Sequence, residues 1–260
     1  MYNTLLFKVE NQIAEITFNR PDRYNAFNNE MSFEFIDALK KCGKDENIRC
    51  VVISGAGKAF CSGQDLKDVE AQAGMRSLGE SVEKRYNPMT RLIHTIEKPF
   101  ICKLQGVAAG AGAGVALACD YVIASENASL LFAFVNIGLV LDSGSSYNLP
   151  RLVGKRKAFE LATLGEKITA QQALEWGMIN QLVPADKLDE TTLQIATQYA
   201  QRPTKAIGLI KRMLNKSFHS DLETMLEMEM YCQEIAGKTE DYIEGVMAFI
   251  QKRKPEFKGK

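Results

Sequence analysis

The sequence predicts an α/β fold, because strand-like apolar segments alternate with segments of helical periodicity along the first part of the chain. Residues 50–54 form a short apolar run bounded by a Gly-Ala-Gly turn, as expected of a buried strand. Before it, four apolar residues recur at the spacing of one helix face: Met31, Phe35, Ile36 and Leu39. With 260 residues, 46% of them hydrophobic, the chain can bury one large core with an appendage.

The elements of the first part are predicted in order from these patterns. Two strands at 5–9 and 14–18 are joined through the turn-prone Glu10-Asn11, and the helix that follows is capped by Asn28 or Asn29. The remaining predicted elements up to the middle of the chain are strand 50–54, a helix ending near Glu97, strand 100–104, a glycine-rich helix, and strands 121–124 and 130–134. The stretch 70–80 suits either a mobile lid or a plain surface loop.

From Ser143 onward the pattern is mainly helical, with one short strand near 179–183. Thr169 and Gln172 have the spacing of a capping box, and Pro203 is placed to start a helix. The predicted helices are 143–152, 154–164, 169–176, 188–201, 203–217, 221–236 and 239–252.

Composition excludes several classes of function. Lys plus Arg and Asp plus Glu both number 32, so no overall charge attracts nucleic acid or anionic lipid, and any phosphate site must be local. The apolar run 107–119 is shorter than the roughly 20 residues that span a bilayer, and the start of the chain lacks a signal-peptide pattern. Six cysteines without a C-x-x-C pair, and only two histidines, favour buried free thiols in the cytoplasm and no metal site.

Asp142 is the first candidate for chemistry. It stands between the apolar run 138–141 and the turn-rich residues 143–146. Apolar surroundings disfavour a charged carboxylate and raise its pKa toward the range of a proton carrier. The same pattern is also typical of a helix N-cap, so the residues alone leave both roles open.

Two glycine-rich segments could supply backbone amides to a ligand. In 58–66, Ser62 and Gly63 stand at a strand-to-helix junction, where small residues let backbone N–H groups approach closely. In 105–120, a helix would leave unpaired N–H donors at Ala111 and Gly112 in its first turn. Tight packing is the alternative reading of both segments. The second one lacks the third glycine of a dinucleotide-binding motif, and the chain has no Walker pattern.

The order of these pieces resembles the crotonase (enoyl-CoA hydratase/isomerase) superfamily along the whole chain. The motifs are Phe18-Asn-Arg-Pro21 with Tyr24-Asn25-Ala26, then 59–65, 106–112, 138–149 and Glu175-Trp-Gly-Met178. Within the superfamily, Tyr86-Asn-Pro88, 108–112, Gly138 with Asp142, and 242–246 with Phe249 look most like the isomerases of ring 1,2-epoxyphenylacetyl-CoA. The resemblance implies a spiral of repeated ββα units over 1–200 and a C-terminal helical region, 201–260, that packs into homotrimers or homohexamers.

The resemblance also implies a set of site residues. The backbone N–H groups of Ser62 and Ala111 would hold the thioester oxygen of an acyl-CoA substrate, and Asp142 would be the working acid. Coenzyme A would be part of the substrate, with no separate cofactor. The residues implied in binding the substrate and its coenzyme A are Arg23, Ala26, Ser62, Gly63, Gln64, Asp65, Leu66, Ala111, Phe249 and Lys252. For Lys252, a solvated basic helix end remains an alternative.

Two departures from the family pattern point toward isomerisation. The family's hydratases carry glutamates at two positions that are Gly114 and Phe134 in this chain. Moving a double bond needs one base, whereas hydration in the family uses paired carboxylates. The expected reactions are the shift of a Δ3-enoyl-CoA to its Δ2 isomer, the conversion of ring 1,2-epoxyphenylacetyl-CoA to oxepin-CoA, or both. The alternatives are an enoyl-CoA hydratase, an aryl-CoA dehalogenase and a binding or scaffold protein without activity.

Overall fold

In a computed structural model of the chain, residues 1–67 and 77–260 are described, and within them ten strands form two sheets. The strands are β1 (Leu5–Glu10), β2 (Ile13–Phe18), β3 (Cys50–Gly55), β4 (Ala59–Cys61), β5 (Phe100–Leu104), β6 (Val107–Ala109), β7 (Tyr121–Ser125), β8 (Ser129–Leu131), β9 (Lys167–Thr169) and β10 (Gln181–Val183). Strands and helices alternate, which confirms the predicted α/β class.

The larger sheet has six strands in the order β1-β2-β3-β5-β7-β10. Its first two strands form an antiparallel hairpin with Leu5 opposite Phe18, and all the other neighbours are parallel. The parallel strands are apolar on both faces because helices cover them, and β3 is buried along its length except at Gly55.

The smaller sheet has four strands in the order β4-β6-β8-β9. Strands β4, β6 and β8 run parallel, and β9 is antiparallel to β8. Cys61 pairs with Ala108, so the chain leaves β4 and β6 side by side at one edge of this sheet. The two glycine-rich segments therefore start from neighbouring strand ends.

The helices are α1 (Asn29–Lys44), α2 (Leu78–Ser81), α3 (Asn87–Thr95), α4 (Ala111–Ala118), α5 (Ser145–Leu164), α6 (Ala170–Glu175), α7 (Leu188–Ala200), α8 (Thr204–Ser217), α9 (Leu222–Ala236) and α10 (Glu240–Ile250). A π-helical turn, Val82–Tyr86, joins α2 to α3. Short 3-10 turns occupy Pro21–Arg23, Ala133–Ile137 and Ala185–Lys187.

Several local predictions are confirmed. Asn28 caps α1, because its side-chain oxygen accepts a hydrogen bond from Met31 N at 2.9 Å, and the four predicted apolar residues of that helix are buried. Thr169 and Gln172 form the capping box of α6. All six cysteines are free, and burial raises the pKa of the Cys42 thiol to about 12.

Other predictions are corrected. Strand β8 ends at Leu131, so the residues expected to continue it, 132–134, enter a 3-10 turn instead. The predicted helices 143–152 and 154–164 are two halves of α5, which bends at Gly154 (φ +74°, ψ 160°). Of the proposed lid, 70–76 lies outside the described residues, whereas Ser77 caps α2.

The C-terminal helices leave a wide apolar surface uncovered in the single chain. Lys211 of α8 anchors this part of the chain to the core by donating to Ile93 O at 2.6 Å and to Asp120 Oδ2 at 2.7 Å. The exposed large apolar side chains of α9 and α10 are Leu222, Leu226, Met230, Tyr231, Ile235, Tyr242, Ile243, Val246, Met247, Phe249 and Ile250. None of the helices described here is long and apolar enough to cross a membrane.

Candidate active site

The two glycine-rich segments meet backbone to backbone. Gly63 has φ +93°, and a Cβ atom added to it would lie 2.8 Å from Ala109 O and 3.4 Å from Ala111 N. Only glycine permits both this conformation and this approach. The predicted meeting of the two segments is therefore present in the structure.

The backbone N–H of Ser62 is already engaged. It donates to Tyr24 O at 3.0 Å, so it is not free to hold a substrate oxygen, and the oxyanion donor predicted at this position must be corrected. On either side of Gln64, Gly63 O accepts from Phe27 N at 2.7 Å and Asp65 N donates to Phe27 O at 3.0 Å. In such a parallel pairing the central residue directs its own N–H away from the partner strand. The available amide of this loop is therefore that of Gln64.

The second donor lies at the start of α4. Ala111 is the first residue of that helix, so its N–H has no intrahelical acceptor, and the positive end of the helix dipole lies beside it. Gly110 precedes it with φ +51° and makes no side-chain cap. Position 112 also requires glycine, because a Cβ there would lie 2.3 Å from Cys61 O.

Asp142 does not cap a helix. The N-cap of α5 is Gly144, and Asp142 takes part in the turn through its main-chain oxygen, which accepts from Ser145 N at 2.8 Å. The half-buried carboxylate instead accepts a hydrogen bond from Ser143 Oγ at 2.7 Å. The residues alone left two roles open for Asp142, a proton carrier and a helix N-cap, and the structure excludes the N-cap.

The surroundings of Asp142 pull its pKa in two directions. Burial raises the pKa above the usual value for aspartate, while the Ser143 hydroxyl and the positive charge of Arg85 oppose that rise. The net effect is a raised pKa, as predicted from the apolar run before it. A carboxylate with a raised pKa takes up a proton more readily than an exposed aspartate does.

Comparison with known proteins shows the family to which this chain belongs. The profile of the enoyl-CoA hydratase/isomerase family matches residues 8–260. The chain belongs to this family. It is 44% identical over 262 residues to the 1,2-epoxyphenylacetyl-CoA isomerase of Escherichia coli K12, with 100% of both chains covered. It is 32% identical to the 2,3-dehydroadipyl-CoA hydratase of the same organism, covering 98% of this chain and 99% of the relative.

The fold comparison gives the same family. A crystal structure of a Mycobacterium abscessus protein assigned to the enoyl-CoA hydratase/isomerases superposes with a TM-score of 0.94 at 35% identity, covering 98% of this chain and 100% of the other. The predicted crotonase fold is thereby confirmed. Since named relatives include both isomerases and hydratases, the reaction must be argued from the site.

In this member of the enoyl-CoA hydratase/isomerase family, the two positions that the resemblance assigns to hydratase glutamates carry no carboxylate. A Cβ on Gly114 would lie 2.7 Å from both Cβ and O of Ser143, and 2.9 Å from Ser145 Oγ. Phe134 is buried in a 3-10 turn, with its Cζ 3.9 Å from a Cβ built on Gly110. Asp142 is therefore left without a carboxylate at either position.

The residues expected to bind coenzyme A fall into two groups. Arg23, Ala26 and Leu66 lie with the loop 62–66, where Arg23 and Leu66 are exposed. Asp65 is buried and pairs with Arg20 at 2.9 Å, and this ion pair gives it a structural role that the sequence did not indicate.

Phe249 and Lys252 lie elsewhere in the single chain. Phe249 is 86% exposed and borders a groove of about 820 Å³ formed by the C-terminal helices and Phe257, which includes no residue of the loop 62–66. Lys252 is exposed just beyond α10 with φ +55°. One copy of the chain does not bring these two residues to the glycine-rich loops.

The sequence analysis did not identify Arg85. This residue is 1% exposed, and its positive charge lowers the pKa of Asp142. It lies in a segment of helical pattern where a charged residue normally faces solvent, so no local signal marks its burial. Among the described residues, no group of three or more His, Cys, Asp or Glu side chains could hold a metal ion.

Proposed function

We propose that the protein is an acyl-CoA isomerase that moves a double bond from the Δ3 to the Δ2 position with Asp142 as its base. The main support is the contact between Gly114 and Ser143, because the turn that carries Asp142 occupies the space into which a glutamate at position 114 would extend. Hydration in the family uses a pair of carboxylates, and positions 114 and 134 carry none in this chain. Isomerisation needs only one base.

The reaction begins with the thioester oxygen between the N–H groups of Gln64 and Ala111. The Asp142 carboxylate removes a proton from C2 of the Δ3-enoyl-CoA, and the electron pair moves into a dienolate whose oxygen the two amides stabilise. The protonated Asp142 then returns the proton to C4. The double bond ends between C2 and C3, and the carboxylate is regenerated.

Ring 1,2-epoxyphenylacetyl-CoA is the second candidate substrate. The 44% identity to a 1,2-epoxyphenylacetyl-CoA isomerase over the full length of both chains favours it. Stabilising negative charge on the thioester oxygen would assist opening of the epoxide toward oxepin-CoA, so the same donors serve both reactions.

We infer that the working form is a homotrimer or a pair of trimers. The exposed apolar surface of α9 and α10 supports this, since large contiguous apolar patches mark interaction sites. A neighbouring copy could then supply Phe249 and Lys252 to the coenzyme A site, which one chain leaves incomplete. Sedimentation analysis at several protein concentrations tests this, and a monomer at all of them would contradict it.

The reaction is tested by incubating the protein with a Δ3-enoyl-CoA, crotonyl-CoA and ring 1,2-epoxyphenylacetyl-CoA, and identifying the products by mass spectrometry. We expect isomerisation with little hydration of crotonyl-CoA, and a loss of about 10² to 10⁴ in kcat for Asp142→Asn. Robust hydration, or full activity in the variant, contradicts the proposal.

Thermal unfolding separates a catalytic loss from misfolding. Because the folded-state pKa of Asp142 is raised, its ionised form destabilises the native protein above that pKa. Asp142→Asn removes this charge, so its Tm at pH 8 should equal or exceed that of the wild type. The difference should disappear at acid pH, where Asp142 is protonated.

A further inference from the structure

Arg85 is the bulkiest of the fully buried side chains among the described residues, with 1% of its surface exposed. A guanidinium keeps its charge when buried, so it requires hydrogen-bond acceptors and a compensating negative charge nearby. Arg85 lies in the π-helical turn Val82–Tyr86, a kind of helix distortion that is frequent at functional sites.

The contacts of Arg85 lead to the oxyanion loop. Its Nη2 donates to Gln64 Oε1 at 2.6 Å and also to Ser81 Oγ one turn earlier. The hydroxyl of Tyr86 donates to the same Gln64 oxygen, and the Arg85 guanidinium lies 5.0 Å from the Tyr86 ring centroid. Two consecutive residues of the π turn thus hold the side chain of Gln64, whose backbone N–H is the proposed oxyanion donor.

The helical segment that carries Arg85 also packs on the turn that carries Asp142. A Cβ on Gly144 would lie 2.6 Å from Thr90 Cγ2, so α3 and this turn are in direct contact. Arg85 lies on this segment, and its positive charge lowers the pKa of the Asp142 carboxyl, against the larger effect of burial.

Other charged groups near this region have different partners. Asp65, which follows Gln64, pairs with Arg20 at 2.9 Å. The pKa of His94, on α3, is lowered by burial and by the charge of Lys211, while Asp120 opposes that change. Within the part of the chain that is described, Arg85 is thus the charged side chain that acts on Asp142, while Ser143 supplies its hydroxyl hydrogen bond.

We propose that Arg85 is a positioning residue for the isomerase reaction: its hydrogen bond to Gln64 fixes the loop that supplies an oxyanion donor, and its buried positive charge favours the ionised form of Asp142. This inference rests on the proposed function. Burial alone would favour the protonated carboxylic acid, which cannot remove the proton at C2. The positive charge of Arg85 opposes this effect of burial.

The test compares Arg85→Gln, which keeps hydrogen-bond donors but loses the charge, with Arg85→Lys, which keeps the charge. For each protein, kcat/KM for a Δ3-enoyl-CoA is measured against pH. The acid limb of this profile reports the pKa of the essential base in the free enzyme. We expect the limb of Arg85→Gln to move up by about one pH unit. The limb of Arg85→Lys should stay near the wild-type position. An unmoved limb in Arg85→Gln, or equal shifts in both variants, overturns the inference.

A second measurement does not depend on turnover. Titration of the Asp142 carboxyl by ¹³C NMR of aspartate-labelled protein, with the resonance identified by its loss in Asp142→Asn, should give the same upward shift in Arg85→Gln. If the wild type isomerises none of the substrates, the proposed function fails while this titration still decides whether Arg85 acts on Asp142. If Arg85→Gln does not fold, Arg85→Met removes the same charge with an apolar side chain and should shift the titration in the same direction. No shift in that variant overturns the inference.

Discussion

Gly114 in α4 lies against the backbone of Ser143, so that a single added methyl group at position 114 would come 2.7 Å from Ser143 O. Backbone atoms cannot rotate away as the end of a flexible side chain can. The position of the Asp142 turn and the absence of a side chain at 114 therefore depend on each other, and a glutamate at 114 would require this turn to move.

Gly114→Ala should destabilise the protein. Overpacking of a well-packed interior typically costs about 1–3 kcal/mol, and here the obstructing atoms belong to the main chain. Chemical denaturation measures the loss, and kcat should fall with it as the Asp142 turn is displaced. Gly79→Ala in α2 is the matched control, since among the described residues a Cβ there meets only Ser77 Oγ at 3.7 Å and the change should be neutral or stabilising. A Gly114→Glu protein of wild-type stability that hydrates crotonyl-CoA would contradict this argument.

Ser143→Ala should move the acid limb of the pH–activity profile upward. The Ser143 hydroxyl donates to Asp142 Oδ1 and lowers the pKa of that carboxyl, so without it the effect of burial is less opposed. Because the base must be ionised, a higher pKa means that activity is lost at a higher pH as the solution is acidified. We expect a shift of about 0.5 to 1 pH unit, measured as kcat/KM for the isomerised substrate.

Ser146→Ala is the control for this change. Ser146 is the second residue of α5 and is exposed, and no side-chain hydrogen bond joins it to Asp142. Its pH profile should match that of the wild type. If the two serine variants shift the limb equally, the hydroxyl of Ser143 is not what acts on Asp142.

The choice between Gln64 and Ser62 as oxyanion donor can be tested by replacing one backbone N–H with an ester oxygen, through incorporation of an α-hydroxy acid. At position 64 we expect kcat/KM to fall by about 10² to 10³, as for the loss of other oxyanion-hole donors. At position 62 the change removes the bond to Tyr24 O instead, so stability should fall while the rate is largely kept. The opposite ranking of the two rates would restore Ser62 as the donor.

The sequence predicted those parts of the site whose cause is local. The apolar run before Asp142 and the small residues around Gly63 and Ala111 are chemical signals within a few positions of the chain. The choice of donor in the loop 62–66 is different, because it depends on a carbonyl of Tyr24 brought in by tertiary contact.

The elements of the fold can be separated in the same way, into those that a local pattern predicts and those that depend on tertiary contacts. Long periodic segments such as α1, with its buried Phe35 and Leu39, were predicted, and the predicted cap of α1 at Asn28 is confirmed. Strands β4, β6 and β9 have three residues each and are too short for an alternating pattern, so three of the four strands of the smaller sheet were missed. Burial of Arg85 follows from packing of the helical segment on the Asp142 turn, which no spacing of residues reveals.

Lys211→Met should destabilise the protein by about 2–3 kcal/mol, somewhat less than for a fully buried ion pair because Asp120 is partly exposed. Lys211 is 7% exposed, and its ammonium donates to Ile93 O, Lys98 O and Asp120 Oδ2. Removing it leaves a carboxylate whose pKa burial already raises, so protonation should relieve the defect and the loss should shrink as pH falls. Lys211→Met combined with Asp120→Asn should recover much of the stability at neutral pH. Urea denaturation of the single and double variants at pH 5 and pH 8 measures both effects, and a loss that is independent of pH and unrescued would show that the lysine acts through packing alone.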